Sequence, residues 1–146
     1  MHIEWEDRFT TGQEMIDLQH RRLIGILNDL YADIGAGRAE DALFKVFSEL
    51  RRYADYHFGT EERLLRQHCV APVRVNAHLA EHETYRRRVA ELQSRHDGGE
   101  RLVPVQVLAF VCDWWLQHIA VGDRDFEALA AGAGRHAANE TKEDAR

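Results

Sequence analysis

Two pairs of residues, each spaced by four, set the chemistry to look for in this chain. His57 and Glu61 form one, in His-Phe-Gly-Thr-Glu; His78 and His82 form the other, in His-Leu-Ala-Glu-His. On a helix, a spacing of four stacks two side chains on one face, a turn apart. Consecutive helices joined by a turn at Ala71-Pro72 would therefore gather three imidazoles and a carboxylate. That is a metal site in outline.

The elements that must position these groups are legible as apolar stripes. His20, Leu23/Ile24, Leu27, Leu30/Tyr31 and Ile34 recur at three-and-four spacing, which predicts an amphipathic helix ending at Gly35-Ala36-Gly37. A second helix is expected from Glu40-Asp41, acids suited to the positive end of its dipole. Its inward stripe runs Leu43, Phe47, Leu50, Ala54, His57, Glu61 and Leu64/Leu65. His57 and Glu61 thus occupy positions where apolar residues belong, and burying them requires partners or a metal. His68 ends the line and is expected to face solvent or cap the helix.

Pro72 suits the first turn of a third helix carrying Val75, His78, His82, Tyr85, Val89 and Leu92. Pro104 opens a fourth, with Leu108, Val111, Trp115, His118 and Phe126 inward. The fold class is all-α: an up-down-up-down four-helix bundle over residues 1–131 with an N-terminal arm. The arm carries Trp5 and Phe9, which are expected to pack across the bundle. Residues 132–146 lack periodic apolar positions and are expected to form a flexible tail.

His20 and His118 also lie on inward stripes, and Asp123 follows His118 by five residues. Five steps turn about 140° on an ideal helix. Either the two groups flank a centre of finite width, or the helix is locally distorted. Five imidazoles and two carboxylates exceed what one tetrahedral zinc uses, roughly four ligands. Two octahedral ions offer about twelve positions, and bridging carboxylates and a bridging oxygen would leave about one vacant.

Composition narrows the partners. The 146 residues are 45% hydrophobic and 30% charged with a net charge of -6, which fits one globular domain and argues against a nucleic-acid surface. Arg86-Arg87-Arg88 reads as a solvated helix face. No run is expected to reach the roughly 18 to 20 apolar residues of a membrane span, and the N-terminus lacks the pattern of a signal peptide. The expected location is the cytoplasm, with Cys69 and Cys112 as reduced, buried or half-buried thiols.

The ordered set His20, His57-Phe58-x-x-Glu61, His78-x-x-x-His82 and His118-Ile119-x-x-x-Asp123 resembles the ligand signature of the hemerythrin family, above all its single-domain bacterial members. Trp5 and the approach Gly12…Ile16-Asp17-x-x-His20 extend the resemblance, which covers residues 1 to about 130. It implies two irons bridged by Glu61, Asp123 and an oxo or hydroxo group. His78, His82 and His118 would hold one iron, His20 and His57 the other. Dioxygen would bind reversibly at the two-histidine iron, in a pocket walled by Leu23, Phe58 and Leu116. The implied role is storage, delivery or scavenging of oxygen, and not enzymatic turnover; an oxidase or peroxidase, or an oxygen, nitric oxide or redox sensor, is the alternative. Val70-Ala71-Pro72 departs from the Tyr-Pro frequent in relatives, which bears on packing at that turn.

Overall fold

A computed structural model describes residues 2–127 and 129; the expected tail at 132–146 lies outside them. Helices α1 (Glu14–Gly35), α2 (Ala39–Lys45), α3 (Arg51–Gln67), α4 (Pro72–Asp97) and α5 (Pro104–Ala120) account for most of the described chain. A π-helical segment, Val46–Leu50, joins α2 to α3 without a break, so residues 39–67 form one rod. Four antiparallel rods with short connections make the up-down-up-down bundle, and no strand occurs among the described residues.

The start of α1 shows how local chemistry aims a functional residue. Asp17 accepts bonds from the Thr11 N–H (2.8 Å), the Thr11 hydroxyl (2.7 Å) and the Gly12 N–H (3.1 Å). Gly12 takes φ 83°, the left-handed region open to glycine. This clamp fixes where the arm enters α1, less than one turn before His20. Further back, Asn28 brackets Ile3 with bonds of 2.7 and 2.9 Å, Phe9 is fully buried, and Arg21 lies 4.0 Å over the Trp5 ring. The arm is packed, as expected.

Pro72 and Pro104 stand at the first turns of α4 and α5. His68 is exposed at the C-cap of α3, also as expected. Cys69 differs from expectation. It is exposed, with φ 52°, because it takes the left-handed turn that stops the helix, while Cys112 is buried. Within Pro104–Glu127 an 18-residue window with mean hydropathy 1.2 is long and apolar enough to cross a membrane on length and composition, although Gln106, Asp113, Gln117 and His118 interrupt its apolar run. The bundle accounts for that apolarity, since Val107, Leu108, Val111, Cys112, Trp115 and Ile119 are buried in the core.

The core is layered along the bundle. One large cluster holds Leu27, Leu30, Leu43, Val46, Leu50, Val89, Leu92 and Val111, and a small one holds Ile16, Leu64, Leu65 and Phe126. Between them in chain order, on every rod, lie the predicted metal ligands.

Candidate metal centre

All seven predicted donors are buried: His20, His57, Glu61, His82 and Asp123 completely, His118 at 1% and His78 at 4% exposure. Glu61 is the hub. Its Oε1 lies 2.5 Å from His57 Nε2 and 3.0 Å from His118 Nε2, and its Oε2 lies 2.8 Å from His82 Nε2. Asp123 Oδ2 lies 2.6 Å from His20 Nε2 and 3.1 Å from His118 Nε2. The five-residue step from His118 to Asp123 is resolved by local distortion. Helix α5 ends at Ala120, Val121 turns out of helical geometry, and a 3-10 turn, Gly122–Arg124, carries Asp123 into the centre.

The donors fall into two groups whose ligand atoms lie within 4.8 Å of one another: His20, His57, Glu61, His118 and Asp123, and then Glu61, His78 and His82. Glu61 belongs to both. His118 falls with His20 and His57 by these distances, whereas the family resemblance allots it to His78 and His82. Its Nε2 touches both carboxylates and so sits at the junction.

Among the described residues, four buried side-chain polar atoms lack hydrogen-bond partners: His20 Nδ1, His57 Nε2, His78 Nδ1 and Asp123 Oδ1. His57 Nε2 is close to Glu61 but outside hydrogen-bonding geometry. Buried polar atoms are rarely left so, and two of these, His57 Nε2 and Asp123 Oδ1, belong to the donor group around the carboxylates, where a cation fits. Burial opposes charge on both His118 and His20, but the neighbouring Asp123 and Glu61 carboxylates outweigh it and raise both histidines, His118 well above its ordinary value of 6.5. Burial likewise pushes Glu61 up, yet His57 and His118 hold it well below the usual carboxylate range. Asp123, opposed by burial and by Glu61, is still held low by His118 and His20.

An outer layer orients the rings. His57 Nδ1–H donates to Gln19 Oε1 (2.8 Å), the Gln19 amide donates to the Thr60 hydroxyl (3.1 Å), and that hydroxyl donates to the Tyr56 carbonyl (3.1 Å). This chain fixes the Gln19 amide and leaves His57 Nε2 to the centre. Glu62 accepts from His82 Nδ1 (3.2 Å), Glu81 from His118 Nδ1 (2.9 Å), and Asp125 from His78 Nε2 (3.1 Å). Spacing gave no sign of these four residues, because each serves a histidine on another helix.

The apolar wall is aromatic. Phe58 lies between His82 (4.0 Å between centroids, 13° between planes) and Trp115 (5.4 Å, 16°). Trp115 is fully buried, 5.8 Å from His57 and 5.5 Å from His118, and its indole N–H donates to the Tyr85 hydroxyl at 3.0 Å. Leu23 is fully buried one turn beyond His20. Leu116 is half-buried at the margin of the large cluster.

Residues 11–130 match the family described as the hemerythrin HHE cation binding domain. The chain belongs to the hemerythrin family. It is 33% identical over 143 residues to the bacteriohemerythrin of Pseudomonas aeruginosa (strain LESB58), covering 98% of this chain and 88% of that protein. The bacteriohemerythrin of Stenotrophomonas maltophilia (strain R551-3) is 33% identical over 129 residues, covering 85% of this chain and 78% of the other. A solved crystal structure of a leucine-to-phenylalanine mutant superposes with a TM-score of 0.76 at 27% identity, covering 88% of this chain and 96% of that one. As a hemerythrin, the chain has a donor set of matching character: a histidine, glutamate and aspartate cluster able to bind metal.

Proposed function

We propose that the centre holds two iron ions, bridged by Glu61, Asp123 and an oxo or hydroxo oxygen, and binds dioxygen reversibly for storage, delivery or scavenging. What carries this is Glu61, one carboxylate shared by two buried donor groups with an oxygen toward each. A single tetrahedral ion would strand several of the seven donors in the core. On the family pattern, His78, His82 and His118 serve one ion and His20 and His57 the other. When bound, the irons supply the electrons that dioxygen takes on capture and returns on release.

The residues of this chain do the remaining work. Gln19 holds His57 and Glu81 holds His118 with their Nε2 atoms inward. Phe58 stacks on His82, Trp115 packs against His57 and His118, and these buried aromatic faces exclude water, so that charged species are disfavoured at the centre. Five neutral imidazoles donate less negative charge than the carboxylate-rich sites of diiron oxidases, which favours ferrous ions and binding over turnover. The nearby acids Glu62, Glu81 and Asp125 are engaged behind histidines. The two cysteines are unpaired, in keeping with a reducing cytoplasm.

Cycling the reduced protein between air and vacuum, with an optical spectrum at each step, tests this. A coloured species should form in air and revert under vacuum. Rapid consumption of reductant with peroxide release, or one zinc per chain after growth on ample iron, would overturn it.

A further inference from the structure

Behind His118, on the side away from the carboxylate hub, a cavity of about 280 Å³ opens between α4 and α5, lined by Glu81, Trp114, Gln117, His118, Val121 and Gly122. Glu81 reaches across it from α4, partly exposed, to accept the Nδ1 proton of His118 at 2.9 Å. Gly122 makes the reach possible. A Cβ at position 122 would stand 2.7 Å from one Glu81 carboxylate oxygen and 3.0 Å from the other. Trp114 stacks on the ring at 4.8 Å and 11°, holding its plane.

We propose that Glu81, seated in the space Gly122 leaves open, is a positioning residue of the metal centre that locks His118 with Nε2 inward and places negative charge behind it. Glu62 backs His82 in the same way, through Nδ1 at 3.2 Å, and Asp125 takes the Nε2 of His78 at 3.1 Å, which places a carboxylate behind that ring with Nδ1 as its free nitrogen. His57 is backed by a neutral amide, that of Gln19, and His20 Nδ1 has no partner. The outer layer is therefore graded. Three imidazoles are made more electron-donating by carboxylates, and two are not. The carboxylate-backed histidines are the ones assigned to a single ion on the family pattern, so that ion is the one better able to carry ferric charge. This rests on the iron pair proposed above.

The test measures ferrous-ion affinity of the metal-free protein and the midpoint potential of the iron-loaded protein. Glu81→Gln keeps an acceptor and removes the charge; Glu81→Ala removes both. Each should weaken ferrous binding by about 10- to 100-fold, the usual effect of losing an outer partner, and raise the potential. Gly122→Ala should move the potential in the same direction with Glu81 intact, and Glu81→Ala with Gly122→Ala should add little to Glu81→Ala alone. Glu83→Gln, an exposed acid on the same helix, is the control. Two irons per chain with Glu81→Gln and Gly122→Ala both indistinguishable from Glu83→Gln would overturn the role of Glu81 alone. A parent chain that takes up no iron pair would overturn it together with the function beneath it.

Discussion

The large aliphatic cluster and the donor layer are built on the same four rods with the same three-and-four periodicity, yet they do opposite things. Around Leu27, Leu50, Val89 and Val111 every inward position is apolar and buried, and burial stabilises the fold. A few turns along, the inward positions are His20, His57, Glu61, His82 and His118, groups that cost free energy to bury. Stability is concentrated in the apolar layers and chemistry in the polar layer between them. A bundle so divided tolerates an unfavourable centre because the aliphatic end and the small cluster of Ile16, Leu64, Leu65 and Phe126 hold the rods on either side of it.

Substitutions in the two kinds of layer should therefore separate metal from fold. The largest effect is expected for Glu61→Ala, which removes the hub from both donor groups; iron content should fall from two per chain to one or fewer, while circular dichroism stays helical. Leu50→Ala should do the reverse. It should cost about 2–5 kcal/mol in denaturant unfolding of the metal-free protein, while the folded fraction still takes up two irons.

The pH response sharpens the same division. His118 and His20 are raised above 6.5 in the fold, so their contribution is complete below that pH and is lost as pH rises through their folded values. Glu61 and Asp123 are lowered, so theirs is present above their unfolded values of 4.5 and 3.8 and is lost as pH falls through the folded ones. Chemical denaturation of the metal-free protein should show greatest stability between about pH 4.5 and 6.5 and a decline above it. The decline should shrink in His118→Leu, which leaves only the His20 share, and not in Leu50→Ala.

Smaller effects are expected at the wall. Trp115→Leu opens space beside His57 and His118 and breaks the bond to Tyr85, so autoxidation of the oxygenated protein should quicken. Leu116→Ala, at the margin of the core, should quicken it less. Equal rates would show that the wall does not depend on Trp115.

The bundle, the five inward histidines and Glu61 were readable because they follow from residue type and helical spacing, whereas Asp123 joined them through the family signature. Polar groups at Glu61 and His82 interrupt stripes that are otherwise apolar, and nothing but a partner explains them. The outer layer was not readable. Gln19 precedes His20 but serves His57; Glu62 follows Glu61 but serves His82; Glu81 precedes His82 but serves His118. Such pairings depend on how the rods are rotated against each other, which spacing within one helix does not record. The π-helical turn Val46–Leu50 was hidden for a related reason, since its stripe of Val46, Phe47 and Leu50 stays buried whether or not the turn is widened. The break before Asp123 did leave a trace, in the five-residue step that no ideal helix accommodates.

The most direct test of the centre is an anaerobic titration of metal-free protein with ferrous iron, following the optical spectrum and the bound metal together. Uptake should saturate at two equivalents per chain, and Glu61→Ala should abolish the second. Saturation at one equivalent, unchanged by Glu61→Ala, would contradict an iron pair built on that carboxylate.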